Sequence, residues 1–249
     1  MDLAWEDVAE NHRRARRHLE TARHEGARLA LLPEMFCTGF SMESSRIAQP
    51  RGGPSETFLR ETARELDLWI LASIPEVGEP RPRNMAILAA PDGSAMRYAK
   101  IHPFTFGGED RVYTGGDRIV TAAVDGLRVT PFVCYDLRFP EPFRLAAEDT
   151  DVFAVVANWP ERRREHWRTL LRARAIENLC YVAAVNRVGE GGGLRYAGDS
   201  AVISPWGEAL VEGDASEAVL LCDVDPAAVR DARAKFPALL DRRPEAYRR

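Results

Sequence analysis

The sequence predicts one α/β domain with mixed sheets, and three observations carry that reading. Short apolar runs, each closed by proline, glycine or a polar turn, alternate with polar segments of helical spacing. Hairpin signals interrupt that alternation. No linker rich in Gly, Pro or Ser divides the 249 residues, so the domain is taken as 1–249, with 235–249 as a C-terminal arm.

Residues 7–26 place Val8, Ala15, Leu19 and Ala22 at helical spacing in a charged segment, the pattern of a surface helix. The apolar run 29–32 is stopped by Pro33, which predicts a buried strand with Glu34 at its end. Ser55 is expected to cap a helix reaching about Leu66, and residues 68–72 follow as a strand. Residues 84–90 and 95–100 read as a hairpin turning at Pro91-Asp92-Gly93. The run 129–134 ends at Cys134, before the polar Tyr135 and Asp136. A helix over 143–148, a strand over 152–157 and a helix over 165–178 come next, the last with Trp167, Leu170, Leu171 and Ile176 on one side. Residues 180–186 form a strand, and 189–193 an internal loop. A hairpin pairs 196–204 with 207–211, and 218–224 is the last strand.

Composition narrows the function. With 45% hydrophobic and 29% charged residues the chain is an ordinary globular one, and its net charge of -4, spread without a basic stripe, speaks against a nucleic-acid partner. Four cysteines, at 37, 134, 180 and 222, lack zinc-knuckle or dithiol spacing, so neither a metal nor a cofactor is expected. No signal peptide or membrane-length apolar run is visible, which points to the cytoplasm and free thiols.

Cys134 stands at a strand-to-helix turn, where backbone N–H groups can lower a thiol pKa; a lone cysteine can equally be a small core residue. Lys100 is one of only two lysines among 34 basic residues, the other being Lys235. A position that keeps lysine in so arginine-rich a chain wants a compact charge. Glu34 follows a strand end and can serve as a base or as a turn residue. His102 reads as structural, and His166 opens a helix.

Three blocks, Leu32-Pro33-Glu34-Met35-Phe36, Tyr98-Ala99-Lys100-Ile101-His102 and Val133-Cys134-Tyr135-Asp136-Leu137-Arg138-Phe139-Pro140, resemble the carbon–nitrogen hydrolase (nitrilase) family. Each carries one member of that family's Glu-Lys-Cys triad. Similarity continues through Asn158-Trp159-Pro160, Arg174-Ala175-Ile176-Glu177-Asn178, Asn186-Arg187-Val188-Gly189 and Gly198-Asp199-Ser200, so it covers nearly the whole chain. Thr38-Gly39-Phe40 and the Asn-Trp-Pro block favour the omega-amidase branch.

The resemblance implies a four-layer α-β-β-α sandwich, a homodimer, and a hydrolase of non-peptide carbon–nitrogen bonds. Its substrates would be small 2-oxo dicarboxylate monoamides, 2-oxoglutaramate and 2-oxosuccinamate, opened through a cysteine thioester with release of ammonia. Cys134 is then the nucleophile and Glu34 the general base that later protonates ammonia. Lys100 and the backbone N–H of Tyr135 hold the oxyanion. Lys100 would also favour the thiolate, and Glu109 matches a glutamate that joins the triad. Arg138 is the candidate for the substrate carboxylate, unless it pairs with Asp136, and Phe40 and Trp159 are candidate pocket walls. Other small-carboxamide or N-carbamoyl hydrolases, acyl transfer, and a non-catalytic scaffold share parts of this pattern. Family members normally open with an apolar strand ahead of the segment matching Leu3-Ala4-Trp5. Its absence from this sequence is expected to expose apolar surface and leave a strand edge unpaired.

Overall fold

The computed structural model describes residues 1–247. Helix α1 (Val8–His24) begins where the Asp7 carboxylate accepts the Glu10 N–H, and it buries Ala15, Leu19 and Ala22 on one face. Strand β1 (Leu29–Leu31) leads to the short α2 (Ser44–Ile47) and to α3 (Pro54–Leu66). Strands β2 (Trp69–Glu76), β3 (Arg83–Ala89) and β4 (Ala95–Ala99) complete a sheet in the order β1-β2-β3-β4, parallel at β1–β2 and antiparallel elsewhere. Helix α4 (Glu109–Val112) precedes β5 (Ala122–Val124) and β6 (Leu127–Val133). Helix α5 (Pro140–Ala146) then leads into β7 (Val152–Ala157), and α6 (Arg164–Asn178) into β8 (Tyr181–Asn186). Strands β9 (Val188–Gly191) and β10 (Leu194–Ala197) form a two-stranded ladder, bridged at Val188 to Asp2, before β11 (Ala201–Ile203), β12 (Ala209–Glu212) and α7 (Pro226–Lys235). The second sheet runs β12-β11-β8-β7-β6-β5, with parallel pairs β6–β7 and β7–β8.

Period-two alternation sorts the layers. Leu71 of β2 and Ala86 and Leu88 of β3 pack with Phe132 and Phe153 between the sheets, while Ile70, Ile74 and Ile87 face Leu19 and Leu59 of α1 and α3. Trp167 and Leu171 of α6 close the other side of the second sheet. Burying side chains of this size stabilises the fold by roughly 1.5–3 kcal/mol each. The result is a four-layer α-β-β-α sandwich with two mixed sheets.

Several local expectations are corrected. Ser55 does not cap α3: Gly53 precedes the helix, Pro54 opens it, and the Ser55 N–H donates to Gln49 Oε1 at 2.7 Å. The helix expected at 143 starts earlier, at Pro140, and tightens to a 3-10 turn after Ala146. Ile176 is 53% exposed; the buried stripe of α6 instead includes Arg174, Ala175 and Asn178. The expected loop 189–193 is the tip of the β9–β10 hairpin. Gly192 and Gly193 both take positive φ there (57° and 75°), the demand of a two-residue hairpin turn. Tyr196 therefore belongs to β10 and not to the β11–β12 hairpin.

Residues 218–224 form no strand. They line one side of a groove of about 620 Å³ whose other side includes Leu29 and Leu31 of β1 and Ala183 of β8. The second edge of β1 is unpaired along this groove. The tail after α7 carries one 3-10 turn at Pro244–Ala246, and the last two residues of the expected arm lie outside the described ones. Among the described residues no helix is long and apolar enough to cross a membrane.

Candidate active site

The site collects residues placed just beyond strand ends. Pro33 terminates the run after β1, and Glu34 turns inward, fully buried. The backbone beyond it is pinned to β2, with Met35 N–H donating to Ser73 Oγ at 2.8 Å and Phe36 N–H to Ser73 O at 3.1 Å. Lys100 follows β4 directly, held by its N–H to Asn84 O (2.9 Å) and by Gly116 N–H to its carbonyl (2.7 Å). Glu109 opens α4, also fully buried.

Lys100 Nζ donates to Glu34 Oε1 at 2.9 Å and to Glu109 Oε2 at 2.8 Å, bridging two buried carboxylates. Asn84 Nδ2 spans the same pair, at 2.8 Å from Glu34 Oε1 and 3.2 Å from Glu109 Oε1. Glu34 Oε2 accepts the Asn158 N–H at 2.9 Å, and Phe104 N–H donates to Glu109 Oε2 at 2.6 Å. Burial alone would lower the Lys100 pKa, but Glu109 and Glu34 outweigh it and hold the ammonium well above its usual range. Burial pushes the Glu109 carboxyl up, Lys100 pulls it back, and Glu34 adds to the rise.

Cys134 follows β6 with φ +46°, a left-handed backbone that a side-chain-bearing residue adopts only when its surroundings enforce it. The enforcement comes from Asp136. Its Oδ2 accepts Val133 N–H (3.1 Å) and Tyr98 Oη–H (2.7 Å), while Oδ1 accepts His102 N–H (2.9 Å) and lies 2.8 Å from His102 Nδ1. This anchor ties the cysteine turn to the segment carrying Lys100. Burial raises the Cys134 thiol well above its ordinary pKa and the Glu34 charge raises it further; Lys100 opposes both and loses. Glu34 acts on the thiol through both its charge and a hydrogen bond, while the Lys100 charge favours the thiolate against them.

Phe40 faces Lys100, its ring centroid 5.1 Å from Nζ. Tyr135 begins the descent from the turn, its ring set edge-on against Phe104 (4.9 Å) and Phe139 (5.2 Å). Asp136 is fully occupied, so Arg138 does not pair with it. The Arg138 guanidinium instead lies 5.0 Å over the Trp159 ring, with Nη2 at 2.9 Å from His166 Nδ1. Trp159 itself is only 3% exposed, fixed by Asn186 through Trp159 N–H to Asn186 Oδ1 (2.7 Å), so it supports Arg138 from below. Among the described residues no three His, Cys, Asp or Glu side chains converge as metal ligands.

A family model described as carbon–nitrogen hydrolase matches residues 1–234. The chain belongs to the carbon–nitrogen hydrolase family. It is 40% identical to the omega-amidase YafV of Escherichia coli (strain K12), over 96% of this chain and 93% of that one. It is 31% identical to a 2-oxoglutaramate amidase of Bacillus subtilis (strain 168), over 99% and 96%. A solved carbon–nitrogen hydrolase superfamily protein of Xanthomonas campestris, with an arsenic adduct in its active site, is 42% identical and superposes with a TM-score of 0.93, covering 97% of this chain and 94% of that one. The protein is a hydrolase of non-peptide carbon–nitrogen bonds, closely related to the omega-amidases.

The cysteines of this hydrolase should differ sharply in reactivity. Cys37 and Cys180 are buried, which pushes each thiol up to about 11, and neither lies beside a base. Iodoacetamide at neutral pH is expected to modify Cys134 ahead of both. Glu34→Gln should slow that modification by about 10²-fold, because the thiol then has no proton acceptor. Peptide mass spectrometry over time reads both; equal rates at Cys134, Cys37 and Cys180 would remove the special role of Cys134.

Proposed function

We propose that this hydrolase is an amidase releasing ammonia from small 2-oxo dicarboxylate monoamides such as 2-oxoglutaramate and 2-oxosuccinamate. The observation that carries the reading is the buried Glu34–Lys100–Glu109 cluster set against Cys134. The names of its relatives in the omega-amidase branch supply the substrate class.

In this mechanism Glu34 takes the thiol proton as sulfur attacks the amide carbon, so no standing thiolate is needed. The tetrahedral oxyanion forms against the Lys100 ammonium and the Tyr135 backbone N–H. Glu34 returns the proton to the departing nitrogen, since an amide anion leaves poorly, and then activates the water that cleaves the thioester. Glu109, bound to Lys100 and to the Phe104 N–H, keeps the ammonium aimed and charged. Arg138 offers its guanidinium to the substrate carboxylate, and Phe40 borders the reacting end. We propose a homodimer on the same family grounds and a cytoplasmic location that fits its free cysteines.

Ammonia release from 2-oxoglutaramate and from the neutral amide pentanamide tests this reading, with kcat/KM expected to favour the acid by about 10²-fold or more. Preference for the neutral amide would overturn the substrate class. Arg138→Leu is expected to raise KM for 2-oxoglutaramate about tenfold while leaving pentanamide unchanged, because one exposed charge-assisted contact is lost. An equal effect on both amides would take Arg138 out of the substrate site.

A further inference from the structure

We infer that Arg163, a residue no motif singled out, is the principal cation reading the acidic end of the substrate, with Arg138 as its outer partner. The inference rests on the acidic-amide reading above and names the residue that enforces it.

Arg163 ends the 3-10 turn Glu161–Arg163 that follows Trp159-Pro160. Its backbone carbonyl accepts the Trp159 Nε1–H at 2.8 Å, which fixes the turn to a buried ring. Its half-buried guanidinium lies 5.1 Å over the Phe104 ring. Phe104 in turn touches Tyr135, the residue after the cysteine, and its N–H holds Glu109. The guanidinium is thereby set on a ring that packs against the residue following the nucleophile.

Charge balance makes the position unusual. Arg163 stands beside Arg162 and Arg138, and burial together with those two cations lowers its pKa. None of the three forms an ion pair among the described residues. Asp199 binds Arg164 and Arg168, and Glu161 reaches Arg195. Packing on Phe104 needs no cation in that crowd. Three guanidiniums with no ion-pair partner, on the segments that follow Cys134 and Trp159, fit a ligand that brings its own negative charge. A 2-oxo acid does so with a planar carboxylate beside a carbonyl oxygen, acceptors that suit the fork of an arginine. Arg162 is exposed and Arg138 is drawn to His166 at the rim, which leaves Arg163 as the inner contact.

The test compares Arg163→Leu and Arg163→Lys with wild type on 2-oxoglutaramate, succinamate and pentanamide, and measures inhibition by 2-oxoglutarate. Arg163→Leu is expected to raise KM for both acidic amides and the inhibition constant of 2-oxoglutarate by about 30-fold or more. It should change kcat, and KM for pentanamide, by less than about threefold. Arg163→Lys should recover part of the loss, since charge returns without the fork. Equal losses on all three amides, or an unchanged inhibition constant, would overturn the inference. If wild type hydrolyses succinamate and ignores 2-oxoglutaramate, the substrate named above falls, while the Arg163 assignment still stands or falls on the other two measurements.

Discussion

Cys134→Ala is expected to lower ammonia release by at least about 10⁴-fold while the protein folds as before. The loss is chemical, because no other thiol sits beside Glu34 and Lys100. Cys37, Cys180 and Cys222 all have thiols raised by burial and none lies in the cluster. The fold should survive, because the turn that holds Cys134 at positive φ is anchored by Asp136, Tyr98 and His102 and not by the sulfur. Removing one small side chain that is only half-buried costs little packing. Unchanged circular dichroism and melting with no turnover is the expected pair of results. Turnover within tenfold of wild type would end the thioester mechanism.

Lys100→Met should be more damaging, because it attacks chemistry and stability together. Lys100 is 2% exposed and is the cation bound to both Glu34 and Glu109. Taking one partner from a buried ion cluster costs about 3–5 kcal/mol, which for a chain of this size lowers the melting temperature by roughly 10 °C. The penalty should depend on pH with a definite sign. Glu109 already stands above its ordinary range through burial and the Glu34 charge, with Lys100 opposing. A carboxyl raised in the folded state gives stability that is complete below its unfolded pKa, about 4.3, and is lost as pH climbs through the folded value. Without Lys100 that loss deepens. The variant should therefore fall further below wild type at pH 8 than at pH 5, and Lys100→Met with Glu109→Gln should recover much of the difference without recovering activity. Melting temperatures at both pH values read this directly; a deficit that shrinks as pH rises would contradict the electrostatic account.

The parts of the site legible in the sequence were those marked by a strand ending or by an uncommon residue type. Glu34 and Cys134 each close an apolar run and Lys100 stood out as one of two lysines, so local pattern and the family blocks pointed to the same residues. Asp136 escaped because its work is done across long sequence separations, on Tyr98 and His102, and nothing local marks a carboxylate for that task. Asn84 and Asn158 escaped for the same reason: each looks like an ordinary polar residue at a strand boundary until Glu34 is seen bound to it. Arg163 lay hidden in the run Arg162-Arg163-Arg164, where only the structure separates a solvated charge, an unpaired inner cation and the partner of Asp199.

In the fold, the long apolar strands were readable because both faces are covered. The failures came where pairing depends on a distant neighbour. Residues 218–224 have the apolar content of a strand but lie along a groove and join no ladder. Residues 188–191 have little apolar content yet form a strand, because two glycines at the tip fold 194–197 back onto them. The sequence shows Lys100 but not how deeply burial and Glu34 act on the sulfur.

The central claim is that ammonia leaves as an acyl group forms on Cys134. Acid-quenched peptide mass spectrometry during turnover of 2-oxoglutaramate, run beside an ammonia assay on enzyme alkylated at Cys134, tests it most directly. The account predicts a 2-oxoglutaryl group on the Cys134 peptide, none on those of Cys37, Cys180 or Cys222, and no ammonia from the alkylated enzyme. Undiminished ammonia release after Cys134 is blocked, or an acyl group carried by another residue, would contradict it.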